Sequence, residues 1–281
     1  MADLVLDVRG ARVVFGGVVA VDDVHLQVRP CEVVGIIGPN GAGKTTLLNA
    51  VSGFVDPGPG RVVFDGRDVT RMLPYRRARL GLARSFQDAR LYPTLTVREV
   101  LMGAHHAAHR TGLFSEGLRL RPARAEEAVA ERAVEEVLDL VDLRPYLDHR
   151  VSELSFGTTR AVELAWLAAR RPRVLLLDEP ASGLQQSEVA VLASLVHRIR
   201  RGAAAVVIDH DVPFVTGLAD RLVAMDLGRV VADGKPDAVL RDPAVIESYL
   251  GSGRRAAQGD SGRRAAGRDN GQLAGAGKEG R

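Results

Sequence analysis

Apolar and polar residues alternate near the start of the chain, in Leu4-Val-Leu-Asp-Val8, Arg12-Val-Val-Phe15 and Val24-His-Leu-Gln-Val28. That period of two predicts half-buried antiparallel strands, with Gly16-Gly17 as a turn. Val62-Val-Phe64, followed by Asp65-Gly66, continues the theme. Between them the pattern changes: Glu32-Val-Val-Gly-Ile-Ile37 is a short apolar run suited to a buried strand, and Thr45–Val51 reads as a helix start. From about Leu91 to Leu147 the character is helical. Val134, Val137, Leu138 and Val141 fall at i, i+3, i+4 and i+7, with Glu126, Glu127, Glu131, Glu135 and Glu136 around them, and Pro122 and Pro145 punctuate the helices. The valine–leucine stripe is read as core. From Arg173 onward, Val174–Leu177, Ala205–Ile208 and Leu222–Met225 alternate with helical stretches, the βα rhythm of a parallel sheet. The expected fold is α/β: a nucleotide-binding core over residues 1–250, an N-terminal antiparallel β subdomain, and a helical subdomain of about 88–152 inserted into it.

Composition narrows this picture. The 281 residues are 46 % hydrophobic, yet no run approaches the ~18–20 apolar residues of a membrane span. The N-terminus lacks a basic stretch followed by an apolar one, so no secretory signal is expected. Cys31 is the only cysteine, which excludes an internal disulfide and fits a reducing compartment; it is expected to be small and partly buried rather than a nucleophile. The net charge of +3 is misleading. Residues 252–281 hold seven basic and three acidic side chains, a net of +4, which leaves residues 1–251 at −1. The basicity therefore belongs to the tail, and no nucleic-acid partner is expected for the folded body. The tail repeats Ser-Gly-Arg-Arg-Ala-Ala at 252–257 and 261–266 and has Leu273 as its only large apolar residue; residues 251–281 are expected to be a disordered Gly/Arg/Ala-rich extension.

Residues 38–46 read Gly38-Pro39-Asn40-Gly41-Ala42-Gly43-Lys44-Thr45-Thr46 between the predicted strand and helix. This is a phosphate-binding loop. Its glycines let backbone N–H groups turn inward, its lysine reaches the β/γ-phosphates, and the Thr45 hydroxyl is a ligand for Mg²⁺. Lys44 is one of only three lysines among 38 basic residues, in a chain that otherwise uses arginine. A compact ammonium suits that position where a planar fork does not. Downstream, Val174-Leu-Leu-Leu-Asp178-Glu179 is an apolar strand ending in two carboxylates, suited to holding a metal and to polarising a water. His210 follows the next apolar run, and Leu154-Ser155-Phe156-Gly157-Thr158 opens a helix, a second place for an anion. Two such sites in one chain make sense if two chains pack head to tail. His105, His106 and His109 lack a further ligand and are not expected to hold a metal. Trp166, among apolar residues, is expected to pack.

The order of Gly38–Thr45, Gln87, Leu154–Thr158, Asp178-Glu179, Ser182–Gln185 and His210 resembles the ATP-binding-cassette ATPases, over residues from about 4 to 250. The stretches Leu82–Val97 and Gly228–Leu250 are similar to the ATPase subunits of branched-chain amino acid importers. The resemblance implies a P-loop NTPase (RecA-like) core, with ATP and Mg²⁺ as ligands. By it, Phe15 stacks on adenine, and residues Gly38–Thr46 hold the phosphates. Thr45, Gln87 and Asp178 attend the metal, Gln87 also contacting the attacking water. Glu179 is the general base, His210 bonds the γ-phosphate, and Ser155 and Gly157 cover the γ-phosphate bound to the opposite subunit. It further implies a second cassette subunit, identical or related, integral-membrane permease subunits docked near Gln87–Val97, an indirect link to a substrate-binding protein, and a location on the cytoplasmic face of the cell membrane. The expected function is to energise import of branched-chain amino acids or similar small polar solutes. The alternative is a soluble single-cassette ATPase in cytosolic assembly or maintenance. Ser155 lies only 111 positions after Lys44, too close for the long coiled coil of DNA-repair relatives.

Two elements depart from the family pattern. In the signature, Phe156 and Thr158 stand where Gly and Gln are usual, the aromatic being familiar in this subfamily and Thr158 not, and Gln185 stands where Asp or Asn is usual. Both elements act across the dimer, while Lys44, Asp178, Glu179 and His210 are intact. The site that this chain completes for its partner is therefore expected to be the weaker one. Thr158→Gln is expected to raise the ATPase rate; an unchanged rate in a steady-state phosphate-release assay would show the departure to be neutral.

Overall fold

The computed structural model describes residues 4–85, 91–108, 131–132, 134–139 and 141–250. The Gln87 position, His109, and the tail from 251 onward lie outside these, as do the ends of several predicted insertion helices.

Alternation in the first part of the chain produces longer strands than its separate runs predict. β1 (Leu6–Phe15) and β2 (Val18–Val28) form one antiparallel hairpin, with Gly16 and Gly17 both at positive φ in the turn. The polar interruption around Gly10 is absorbed as a shift of register between Val8 and Ala11, so the first two predicted strands are one. β4 (Arg61–Phe64) adds to the other edge of β1, and β5 (Arg67–Asp68) completes a four-stranded sheet ordered β2-β1-β4-β5.

The second sheet has six strands in the order β10-β9-β3-β8-β7-β6. β3 (Val33–Ile37), β6 (Leu82–Arg84), β7 (Val174–Asp178), β8 (Ala204–Ile208) and β9 (Arg221–Asp226) run parallel, and β10 (Arg229–Gly234) returns antiparallel to β9. Every residue of β3, β7 and β8 is buried, which is why they read as continuous apolar runs. The pleat then sorts them. Val174, Leu176, Val206, Ile208, Val34 and Ile36 pack toward the antiparallel sheet and the helix Lys44–Ser52. Leu175, Leu177, Ala205, Val207, Val33 and Ile37 face the opposite core, with the helices Phe156–Ala169 and Gln186–Ile199 and the predicted stripe Val134, Val137, Leu138 and Val141. Trp166 packs against this second core, as expected, with the Arg170 guanidinium 5.1 Å over its ring.

The segment between β6 and β7 contains the helix Val97–Ala108, and its two ends are tied together. Val97 N–H donates to His149 O at 3.0 Å, Arg98 N–H to Leu147 O at 3.0 Å, and Val151 N–H to Leu95 O at 3.0 Å. Cys31 corrects an expectation. It is exposed, at φ 59°, in the turn between β2 and β3, because a residue held in the left-handed region there directs its side chain out of the sheet rather than under it.

Arg77 secures the end of the phosphate-loop helix. Its side chain is fully buried and donates to Ala50 O (2.9 Å), Val51 O (2.6 Å), Thr70 O (2.8 Å) and Met72 O (2.9 Å). Val51 O is a carbonyl that the last helical turn leaves unsatisfied, and Ala50 O also accepts the Gly53 N–H at 3.2 Å. Arg77→Met, which keeps most of the volume and strands these acceptors, is expected to cost about 3 kcal/mol or more, read as a lowered urea midpoint.

Candidate functional site

The phosphate loop joins the C-terminal end of β3 to the helix Lys44–Ser52, in the crevice beyond the strand ends where doubly wound folds bind ligands. Two glycines are required by close packing. A Cβ on Gly38 would lie 2.1 Å from Met225 O, and one on Gly43 would lie 2.2 Å from Ala20 O. The loop is braced from outside by Gly228, whose N–H donates to Ala42 O at 3.1 Å, while Asp22 N–H donates to Gly228 O at 2.8 Å. Pro39 and Ala42 are buried, Asn40, Gly41 and Thr45 are exposed, and Thr46 is half-buried. The buried Lys44 ammonium donates to Gly38 O (2.7 Å) and Pro39 O (2.9 Å), folded into its own loop. Burial pulls its pKa below the ordinary lysine range, against the opposing charges of Glu179 and Asp178.

Asp178 ends β7 and is almost fully buried. Its Oδ1 accepts from the Thr45 hydroxyl at 3.3 Å, and its Oδ2 pairs with the Arg84 guanidinium at 3.0 Å. Its own N–H donates to Ser85 Oγ at 3.1 Å. An alcohol and a carboxylate oxygen side by side form a hard oxygen set that fits Mg²⁺. Glu179 follows at φ 51°, a left-handed conformation uncommon for a side chain of this size, and its N–H is held by Ile208 O at 2.7 Å. One carboxylate oxygen of Glu179 lies 2.9 Å from Nε2 of His210. The strand ends thus bring Lys44, Thr45, Asp178, Glu179 and His210 together, as their order in the chain implied. Phe15 stands half-exposed at the tip of the β1–β2 hairpin, available as a flat apolar surface. The Gln87 position falls outside the described residues.

Ser155 is placed elsewhere. It is the N-cap of the helix Phe156–Ala169, its Oγ accepting the Thr158 N–H at 3.1 Å. Thr158 Oγ1 lies 2.9 Å from Ser155 Oγ, so a second hydroxyl occupies the place of the usual amide. A Cβ on Gly157 would strike Glu188 at 2.1 Å, so glycine there permits close approach of the helix Gln186–Ile199. Gln185 is the N-cap residue of that helix, and its N–H donates to the Glu188 carboxylate at 2.9 Å. Phe156 lies against Gly183, with Arg160 over its ring at 5.4 Å. Ala181 N–H donates to Asp209 Oδ2 at 2.8 Å, fixing the start of the Ser182–Gln185 loop. The sequence signal for Arg84, Ser85 and Asp209 was slight. They are an arginine, a serine and an aspartate at the ends of short strands, and only the sheet order brings them to the site.

These observations meet the comparisons with known proteins. The family model for ABC transporters matches residues 21–182. The chain belongs to the ATP-binding-cassette transporter family. A second family model, for branched-chain amino acid ATP-binding cassette transporters, matches residues 229–254 of this cassette. The cassette is 37 % identical over 255 residues to the high-affinity branched-chain amino acid transport ATP-binding protein LivG of Salmonella typhimurium, covering 89 % of this chain and 99 % of that one. It is also 37 % identical over 254 residues to the corresponding protein BraF of Pseudomonas aeruginosa, with the same two coverages. Among solved structures, it is similar to an ATP-binding cassette of an ABC transporter in its ADP conformation, at TM-score 0.76 and 29 % identity, covering 88 % of this chain and 99 % of that one. A nucleotide-free cassette gives TM-score 0.73 and 27 % identity, covering 88 % and 98 %. The α/β cassette fold with its antiparallel β subdomain is therefore shown, as is binding of nucleotide by the family.

The depressed Lys44 pKa has a measurable consequence. The ammonium is the phosphate-binding form, and its free-protein pKa lies below the ordinary lysine range. As pH rises through that value, binding of a polyanion must first reprotonate the amine. Nucleotide binding is expected to become proton-uptaking at alkaline pH and to weaken there, read as a buffer-dependent enthalpy in calorimetric titrations of ADP. Lys44→Ala, which has no amine to protonate, should bind ADP more weakly and without that buffer dependence.

Proposed function

We propose that this cassette is the ATP-hydrolysing subunit of an importer for branched-chain amino acids or similar small polar solutes. The observation that carries the reading is the convergence of Lys44, Thr45, Asp178, Glu179 and His210 in a chain of which 89 % aligns with 99 % of LivG and of BraF. Residues 1–250 act as one ATPase domain, with the helical segment of about 88–152 inserted in it. ATP lies on the phosphate loop, its base against Phe15. Thr45, Asp178 and, by resemblance, Gln87 would hold Mg²⁺, which screens phosphate charge when bound.

Hydrolysis follows from what the residues hold. Lys44 leaves the carbonyls of Gly38 and Pro39 for the β/γ-phosphate oxygens. Glu179 accepts a proton from water as that water's oxygen bonds to the γ-phosphorus and the bond to the bridging oxygen breaks, giving ADP and inorganic phosphate. His210, already at 2.9 Å from Glu179, bonds the γ-phosphate and keeps the base turned toward the water. The positive φ of Glu179 fixes the direction of its side chain beyond the strand end. Ser155, in this reading, donates to the γ-phosphate of a second cassette subunit, so ATP draws two subunits together and hydrolysis releases them. Among the described residues no helix is long and apolar enough to cross a membrane, and a permease of separate polypeptides would supply the path. The working location is the cytoplasmic face of the membrane.

Glu179→Gln is expected to lower turnover about 10²–10⁴-fold while ATP binding persists, as for loss of a general base. Purification of the tagged Glu179→Gln chain from detergent-solubilised membranes with Mg-ATP is expected to retain polytopic permease subunits, identified by mass spectrometry. Unchanged turnover sinks the catalytic assignment; recovery of soluble proteins alone sinks the importer.

A further inference from the structure

Arg84 is the last residue of β6, the edge strand of the parallel sheet, and immediately precedes the segment that leads to Gln87. Its register opposite Leu176 of β7 puts its side chain on the same face as Asp178, two residues further along that strand. From there one guanidinium reaches three partners on two elements. It pairs with Asp178 Oδ2 at 3.0 Å, and donates to Asn49 Oδ1 at 2.7 Å and Ser52 Oγ at 2.8 Å. Asn49 and Ser52, three residues apart on one face of the phosphate-loop helix, share one amino group of the guanidinium while the other amino group holds Asp178, a division between helix and carboxylate that the fork of arginine makes and a single ammonium does not. The Ser52 hydroxyl proton goes to Leu48 O, which turns its lone pairs toward Arg84. The Phe54 ring lies 5.8 Å from the guanidinium carbon and closes the far side. Both members of the Arg84–Asp178 pair are more than nine-tenths buried, so neither charge is tolerable there without the other.

Asp178 is thereby held from both sides. Oδ2 is committed to Arg84, Oδ1 faces the Thr45 hydroxyl, and the backbone N–H is committed to Ser85, the next residue of the same segment. Only Oδ1 is open toward the nucleotide side, which excludes two-oxygen chelation by this carboxylate. A cation held by a single carboxylate oxygen keeps its other positions for water and phosphate.

We propose that Arg84 is a positioning residue for metal–nucleotide binding, locking the Asp178 carboxylate in register with the phosphate-loop helix so that one oxygen alone is presented beside Thr45. The inference rests on the reading of Asp178 as a metal-holding residue. It acts through Asp178 and touches no substrate itself.

The test titrates Mg²⁺ into the full-length Glu179→Gln chain with a fluorescent N-methylanthraniloyl ATP, and repeats the nucleotide titration in EDTA. Arg84→Met is expected to raise the Mg²⁺ concentration for half-maximal effect about tenfold, the scale of one charge-assisted hydrogen bond, with the EDTA affinity within about twofold of the parent. Arg84→Lys, which keeps the charge without the fork, should fall between, near threefold. Asn49→Ala, which removes one of the two helix acceptors and leaves Asp178 and Ser52 paired, should shift the curve in the same direction by less. An unmoved Mg²⁺ curve in Arg84→Met overturns the proposal. So does an equal loss of affinity with and without Mg²⁺, which would make Arg84 a support of the fold only. If Arg84→Met does not fold, Arg84→Lys decides by the same two criteria. Asp178→Asn separates the layers. If it shifts the Mg²⁺ curve and the Arg84 variants do not, the positioning role alone fails; if it leaves the curve unmoved, the metal-site reading fails with it.

Discussion

The burial of Asp178 is the constraint around which this cassette is arranged. A carboxylate 2 % exposed at the end of a five-residue apolar strand is tenable only with a cation and hydrogen-bond donors built around it. Those donors are Arg84 on β6 and Thr45 on the phosphate-loop helix, and Ser85, next after β6, accepts the Asp178 N–H, so one buried residue fixes three segments relative to one another. The helix is fixed at its other end by Arg77, which gathers the carbonyls of Ala50 and Val51. Two buried arginines therefore add polar anchors to a helix whose Leu47, Leu48 and Val51 already pack into the apolar core. The use of charge is local: the strands themselves are sorted by the pleat between two apolar clusters.

Much of this was legible in the sequence, for physical reasons that differ by element. The phosphate loop announces itself because backbone proximity leaves no alternative to glycine at positions such as Gly38 and Gly43. β3, β7 and β8 were readable because a strand covered on both faces must be apolar throughout. β10 was not read as a strand. It is partly exposed, and its mixed composition follows from pairing on one edge only. The first hairpin was read in fragments because Gly10 and the register shifts break the alternation without breaking the strand. Arg84 was not legible at all. Nothing in the composition of Leu82-Ala-Arg84 marks the arginine as buried, since that depends on β6 pairing with β7, which brings it to Asp178 across 94 positions of chain.

The departures from the family pattern look different once they are placed. Gln185 gives its N–H to the Glu188 carboxylate, so that residue is held at the helix start by its backbone, whatever its side chain. Thr158 supplies a hydroxyl to Ser155 and keeps its N–H on the same oxygen. Phe156 leans on Gly183, which joins the helix start at Ser155 to the Ser182–Gln185 loop within one subunit. Two elements that resemblance assigns to the far side of a dimer thus share a contact, and displacement of one is felt by the other.

Glu179 carries a different lesson. At φ 51° its backbone sits where a side chain with a Cβ is strained by about 1–3 kcal/mol, and the only residue at ease there is glycine. A chain shaped only by the need to fold would place glycine at that position. That a long carboxylate is kept there, held by a 2.7 Å bond to Ile208, means the cassette forgoes part of its own thermodynamic margin at the residue proposed as its general base.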